Sequence, residues 1–195
     1  MSENELDLAP IIEATLLASS QPLTVAQLYG IFGDKPPRAG AVEQALTELK
    51  LACASRGIEL VEVASGFRFQ VKTAIHPYVA KLWTERQSKY TRATLETLAL
   101  IAYRQPITRG EIEQIRGVSV SSTMIKSLEE REWIRVLGHR DVPGRPELFG
   151  TTKTFLDYFG LKSLDQLPPL AEFKEFSELQ PHLSFGISAP ITALI

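Results

Sequence analysis

With 195 residues, 44% hydrophobic and 23% charged, the chain can bury the core of one or two ordinary globular domains. Its formal net charge of −2 argues against a free-standing nucleic-acid reader, whose affinity rests on neutralising phosphates. A single cysteine excludes an intramolecular disulfide framework, the acidic start Met1-Ser-Glu-Asn-Glu5 lacks a signal-peptide pattern, and the longest apolar run, Leu98–Tyr103, is too short to span a bilayer, so a reducing, cytoplasmic location is expected.

Taken in order, Asp7 is placed to cap a first helix that tolerates Pro10 in its first turn. Ile12 and Leu16 share one face, with Ile11, Ala14 and Ala18 beside it, and Gln21-Pro22 ends the helix. Thr24 with Gln27 forms a capping box for a second helix whose apolar side is Val25, Leu28, Ile31 and Phe32, stopped by Gly33. After the loop 34–40, Val42, Leu46, Leu49 and Cys53 recur at helical spacing in a third helix. The runs 58–63 and 67–71 read as two strands turning at Ser65-Gly66. A further helix is expected from Ile75 to about Glu85, carrying Tyr78, Val79, Leu82 and Trp83, and the polar run 86–91 marks a junction.

The same pattern then returns. Gln21-Pro-Leu-Thr24 reappears as Gln105-Pro-Ile-Thr108, and Leu28, Ile31 and Gly33 as Ile112, Ile115 and Gly117; Thr108 and Glu111 repeat the capping box. Before it runs an apolar helix with a stripe of Leu95, Leu98, Ala99, Ala102 and Tyr103, and Leu100 and Ile101 on its flanks. After it come a third helix near 121–132, a strand at 133–136 and a return strand at 144–152. The spacing between copies changes only where loops change length, as duplicated structure requires. The expected fold is therefore mainly α with small β-hairpins: two tandem winged helix-turn-helix domains, at 1–87 and 88–170, and a poorly ordered tail at 171–195. A weak helix over 171–178, with Phe173 and Phe176 on one side, is the most that tail suggests.

Catalysis has thin support. His76, His139 and His182 fall in different elements, none at metal-ligand spacing with a cysteine, and Cys53 sits on an apolar helix face as a core residue would. No cofactor is implied. A winged-helix DNA-binding regulator is the rival reading, yet its third helices would present Glu43, Gln44, Thr47, Glu48 and Lys50, or Ser122, Thr123, Lys126, Glu129 and Glu130. Carboxylates on both faces would meet phosphate repulsion. The second hairpin tip is more basic, with His139, Arg140 and Arg145 against Asp141. Binding to protein remains, and Tyr, Trp and Arg are the residues that concentrate interface energy.

The run Glu96–Val118, with Val142-Pro-Gly-Arg-Pro-Glu-Leu-Phe-Gly-Thr-Thr152 and the later Phe155-Leu156, Phe159-Gly-Leu161 and Leu167-Pro168, resembles segregation and condensation protein B, ScpB. Phe149 stands where many members carry Tyr, and Ser119–Thr123 is a looser helix start than usual. The resemblance implies a non-enzymatic accessory subunit of the bacterial SMC condensin complex. Such a protein forms a homodimer mainly through the first domain and grips the kleisin ScpA, which joins it to the SMC ATPase in chromosome condensation and segregation. Candidate ScpA contacts are Tyr103, Arg104, Arg140, Arg145, Leu148 and Phe149. Leu148 and Phe149 alternate on one strand, so one of them is expected in the core. Tyr78, Leu82 and Trp83 are the candidates for a dimer or domain interface.

Overall fold

The computed structural model describes residues 7–82 and 90–168. The chain divides into two compact units, Met1–Leu82 with Tyr158–Ile195, and Trp83–Asp157. Helices alternate with small antiparallel sheets in both.

The first unit opens with α1 (Leu8–Ala18), which Asp7 caps by accepting the Ala9 N–H at 3.3 Å. Helix α2 (Val25–Gly30) begins at the Thr24–Gln27 box, in which each residue's side chain serves the other's backbone N–H. Helix α3 (Ala41–Ala52) follows, then β1 (Ile58–Val63) and β2 (Gly66–Val71), paired from Ile58↔Val71 to Val63↔Gly66. Ile12, Leu28 and Val42, all fully buried, meet Leu46, Leu49, Cys53, Leu60 and Phe69 in one core. Each such side chain withdrawn from water contributes about 1.5–3 kcal/mol. Leu23 ties the helices to the hairpin by exchanging backbone hydrogen bonds with Phe67 at 3.0 and 2.8 Å. That exchange brings the Leu23 peptide so close to Gly66 that a Cβ there would lie 2.3 Å from the Leu23 carbonyl carbon. A short helix α4 (His76–Val79) and a 3-10 turn (Ala80–Leu82) end this part.

The second unit repeats the order with an added strand. Its elements are α5 (Arg92–Arg104), β3 (Ile107–Thr108), α6 (Arg109–Arg116), α7 (Ser122–Glu130), β4 (Ile134–His139), β5 (Glu147–Thr151) and α8 (Lys153–Tyr158). The sheet order is β3-β5-β4, all antiparallel, with Ile107 opposite Phe149. Ser121 caps α7 by accepting the Met124 N–H, and Gly117 closes α6 in the left-handed conformation at φ 70°. Leu98, Ile101, Ile112, Val120, Leu128, Trp133 and Phe149 form the core. Gln105 joins helix to sheet, its amide nitrogen donating to the Ala102 carbonyl and its oxygen accepting the Thr151 N–H at 2.8 Å.

Several expectations need correction. Ile101 is fully buried rather than flanking, because the central stripe of α5 runs Thr97, Leu98, Ile101, Ala102 and faces both the hairpin and the following helices. In α2, Ile31 falls just past the last helical residue and is 44% exposed, as is its counterpart Ile115 at 53%. Ala14 and Ala18 are exposed too, so α1 buries a narrower stripe. The helix expected from 75 to 85 is four residues followed by a 3-10 turn; the residues expected to continue it, and the tail 171–195, lie outside the described residues. The expected domain limit at 170 also moves. From Tyr158 the chain returns to the first unit, where Ala64 donates its N–H to the Leu161 carbonyl at 3.0 Å and the Lys162 ammonium pairs with Glu62.

The crowding at Gly66 gives a direct test. Gly66 combines φ 134° with a backbone clash, whereas Gly33, at φ 56°, has open space where a Cβ would go. Gly66→Ala is expected to destabilise the first unit by more than about 2 kcal/mol, and Gly33→Ala by only about 1 kcal/mol. Urea denaturation of the two variants measures both, and equal costs would contradict the packing described.

Candidate partner-binding surface

Thr108 both ends β3 and caps α6, and its partner in the box is Glu111. One carboxylate oxygen of Glu111 accepts from the Thr108 N–H at 2.8 Å and from its hydroxyl at 2.9 Å. The same carboxylate takes the Arg140 guanidinium from the β4–β5 hairpin at 2.9 Å. The Thr108 N–H above all, opposed by burial and helped by the Thr108 hydroxyl and the Arg140 charge, holds the Glu111 carboxyl below its ordinary value of 4.5. Glu113, two residues beyond, fixes the turn into α7 by accepting the Val120 N–H at 2.8 Å and the Arg109 guanidinium at 3.1 Å. The Val120 N–H and Arg109 likewise lower the Glu113 carboxyl pKa.

Around this anchor lies a groove of about 320 Å³ lined by Arg104, Pro106, Ile107, Glu111, Gln114, Ile115 and Arg140. Arg104 is the exposed last residue of α5 and makes no ion pair among the described residues. Arg140 is 44% exposed at its side chain even while paired. Two of the six candidate contacts thus converge on one concavity. The apolar contribution of Ile115 was hidden in the sequence, where its place in a helical repeat reads as core; its exposure follows from the tight turn that Gly117 makes after it.

The other candidates scatter. Arg145 stands exposed at the hairpin turn at φ 39°, beside Gly144 at φ 88°, with two backbone bonds holding that turn, Arg145 N–H to Val142 and Arg140 N–H to Pro146, each at 2.9 Å. Tyr103 and Leu148 are half-buried. Phe149 is 2% exposed and belongs to the core, because it faces Ile107 across the sheet. In the first unit Tyr78 and Leu82 are 72% and 77% exposed, and Trp83 lies outside the described residues. The two third helices keep their carboxylates at the surface: Glu43 accepts from the Tyr29 hydroxyl at 2.9 Å, and Glu130 lies 3.9 Å from Lys126. No described helix is long and apolar enough to cross a membrane.

Comparison with known proteins adds the family. A family model described as segregation and condensation complex subunit ScpB matches residues 10–170. The chain is 53% identical over 171 residues to a segregation and condensation protein B homolog of Coxiella burnetii, covering 87% of this chain and 82% of that one. It is 40% identical over 184 residues to segregation and condensation protein B of Syntrophotalea carbinolica, covering 94% and 92%. Among solved structures it is similar to a dimer of an ScpB N-terminal domain complexed with ScpA peptide, at 26% identity over 40% of this chain and 93% of that one, with a TM-score of 0.35.

The Glu111 carboxylate predicts a pH dependence. Its folded-state pKa is depressed, so the stability it contributes is present above the unfolded value of 4.5 and is lost as pH falls through the folded value. Glu111→Gln keeps a side-chain oxygen for the box, as Gln27 does in the first unit, but loses the charge facing Arg140. The variant is expected to be less stable at pH 7 by about 0.5–1 kcal/mol, the range of a half-exposed pair, and to approach wild type at an acid pH below 4.5. Urea midpoints at the two pH values decide it.

Proposed function

The chain belongs to the segregation and condensation complex subunit ScpB family, and on that premise we propose that it is a non-enzymatic accessory subunit of the bacterial SMC condensin complex. In this reading it works in the cytoplasm as a homodimer formed mainly through the first unit, binds the kleisin ScpA, and through ScpA supports the SMC ATPase in chromosome condensation and segregation. The observation that carries the reading is the family match, which spans both units rather than one repeat of a common fold. ScpA is the partner named for the related N-terminal-domain dimer.

Two features support a protein clamp over a reader of DNA bases. The exposed faces of both third helices carry carboxylates, which phosphates would repel. The second unit instead gathers exposed arginines and aliphatic residues, a mixture that protein interfaces favour. Tyr103, Arg104, Arg140, Arg145 and Leu148 are our candidate ScpA contacts in that unit, with Phe149 supporting the strand from beneath. Tyr78 and Leu82 are exposed and, with Trp83, are the candidates for the dimer or domain interface.

Size-exclusion chromatography with light scattering, on the protein alone and mixed with the middle segment of its own ScpA, tests the proposal. A dimer that takes up the kleisin segment is the expected result; a monomer that ignores it would refute the reading. Arg145→Ala is expected to lower ScpA affinity about tenfold while leaving the urea midpoint in place. Unchanged affinity in that variant would remove Arg145 from the surface.

A further inference from the structure

The groove between α6 and the second hairpin is chemically divided. At its rim stand two guanidinium groups, Arg104 and Arg140, and along its side lie Pro106, Ile107 and the half-exposed Ile115. Among the described residues Glu111 is the only acid lining it, and that carboxylate is already committed to Thr108 and to one terminal nitrogen of Arg140. The pairing leaves the other edge of the Arg140 fork to a ligand while holding the guanidinium in place. A donor held in position loses less entropy when an acceptor arrives. Arg104, which has no ion-pair partner among the described residues, supplies a second cation to the same concavity.

We infer that this groove is the carboxylate-reading subsite for the kleisin: it receives an Asp or Glu side chain of the ScpA segment between Arg104 and Arg140, with a neighbouring aliphatic residue against Ile115, Pro106 and Ile107. The inference rests on the ScpA-binding reading and narrows it from a face of the second unit to one concavity and one ligand chemistry. Planar guanidinium donors match carboxylates in two-point geometry, and the apolar wall selects against a carboxylate surrounded by polar residues. The hairpin-tip Arg145, outside this lining, then contacts the segment directly beyond the groove.

The test uses the full chain and the middle segment of its own ScpA, with affinity read by isothermal calorimetry at two salt concentrations. Arg104→Glu and Ile115→Asp are each expected to lower affinity at least about tenfold. Arg135→Glu, which reverses an exposed arginine of β4 outside the groove, is expected to lower it less than threefold. Replacing the acids of the ScpA segment one at a time with their amides should identify one position whose loss matches that of Arg104→Ala and adds nothing to it. Wild-type binding that persists through Arg104→Glu and Ile115→Asp would overturn this inference alone. Wild type that binds no ScpA would overturn it together with the functional reading, and the two failures are told apart by the wild-type titration.

Discussion

The second unit depends on one carboxylate. Glu111 satisfies the amide and hydroxyl of Thr108 at the point where β3 becomes α6, and from there it holds Arg140 on the hairpin. A helix start, a strand end and a loop are therefore joined through two oxygen atoms. Hydrogen bonds to a charged acceptor are stronger than neutral ones, and this one is spent where the sheet edge, α6 and the hairpin would otherwise move separately. The first unit solves the same problem with Gln27. That amide closes the box without a charge to pair with an arginine, and among the described residues its side chain bonds only Thr24. The difference between the two copies is a difference of one charge, and it is the charged copy that carries the arginine-lined groove.

Much of this was legible in the chain, because local rules decided it. The capping boxes Thr24–Gln27 and Thr108–Glu111, the left-handed stop at Gly117, and the spacing of Val42, Leu46, Leu49 and Cys53 all act over a few residues and stand where the residues indicate, whereas the second helix ends at Gly30, ahead of the expected stop at Gly33. What escaped was set by partners distant in sequence. The two-residue β3 exists only because Phe149 lies opposite Ile107. Ile101 is central in α5 because elements on two sides close over it, which a helical wheel cannot show. Ile115 repeats the apolar pattern faithfully and still faces solvent. Of the site, the arginines were visible as residue types, but their convergence required the folded hairpin.

A fold that repeats a helix–helix–helix–hairpin order usually invites a DNA-binding interpretation. Here the physical content of the repeat points elsewhere, since the order is a scaffold and the surface chemistry decides what it holds. Carboxylates line the third helices, while cations and aliphatic side chains collect beside the second hairpin. The same backbone plan thus presents an arginine-lined groove beside third helices that carry carboxylates.

The return of the chain to the first unit at Tyr158 has a consequence for biosynthesis. Glu62 and Lys162, which pair there, are 100 residues apart, and the whole second unit is encoded between them. At roughly 5–20 residues per second, a ribosome needs on the order of ten seconds to pass from one to the other. During that interval the first hairpin lacks its contacts with Leu161 and Lys162. The unit whose synthesis begins first is therefore the one whose synthesis ends last.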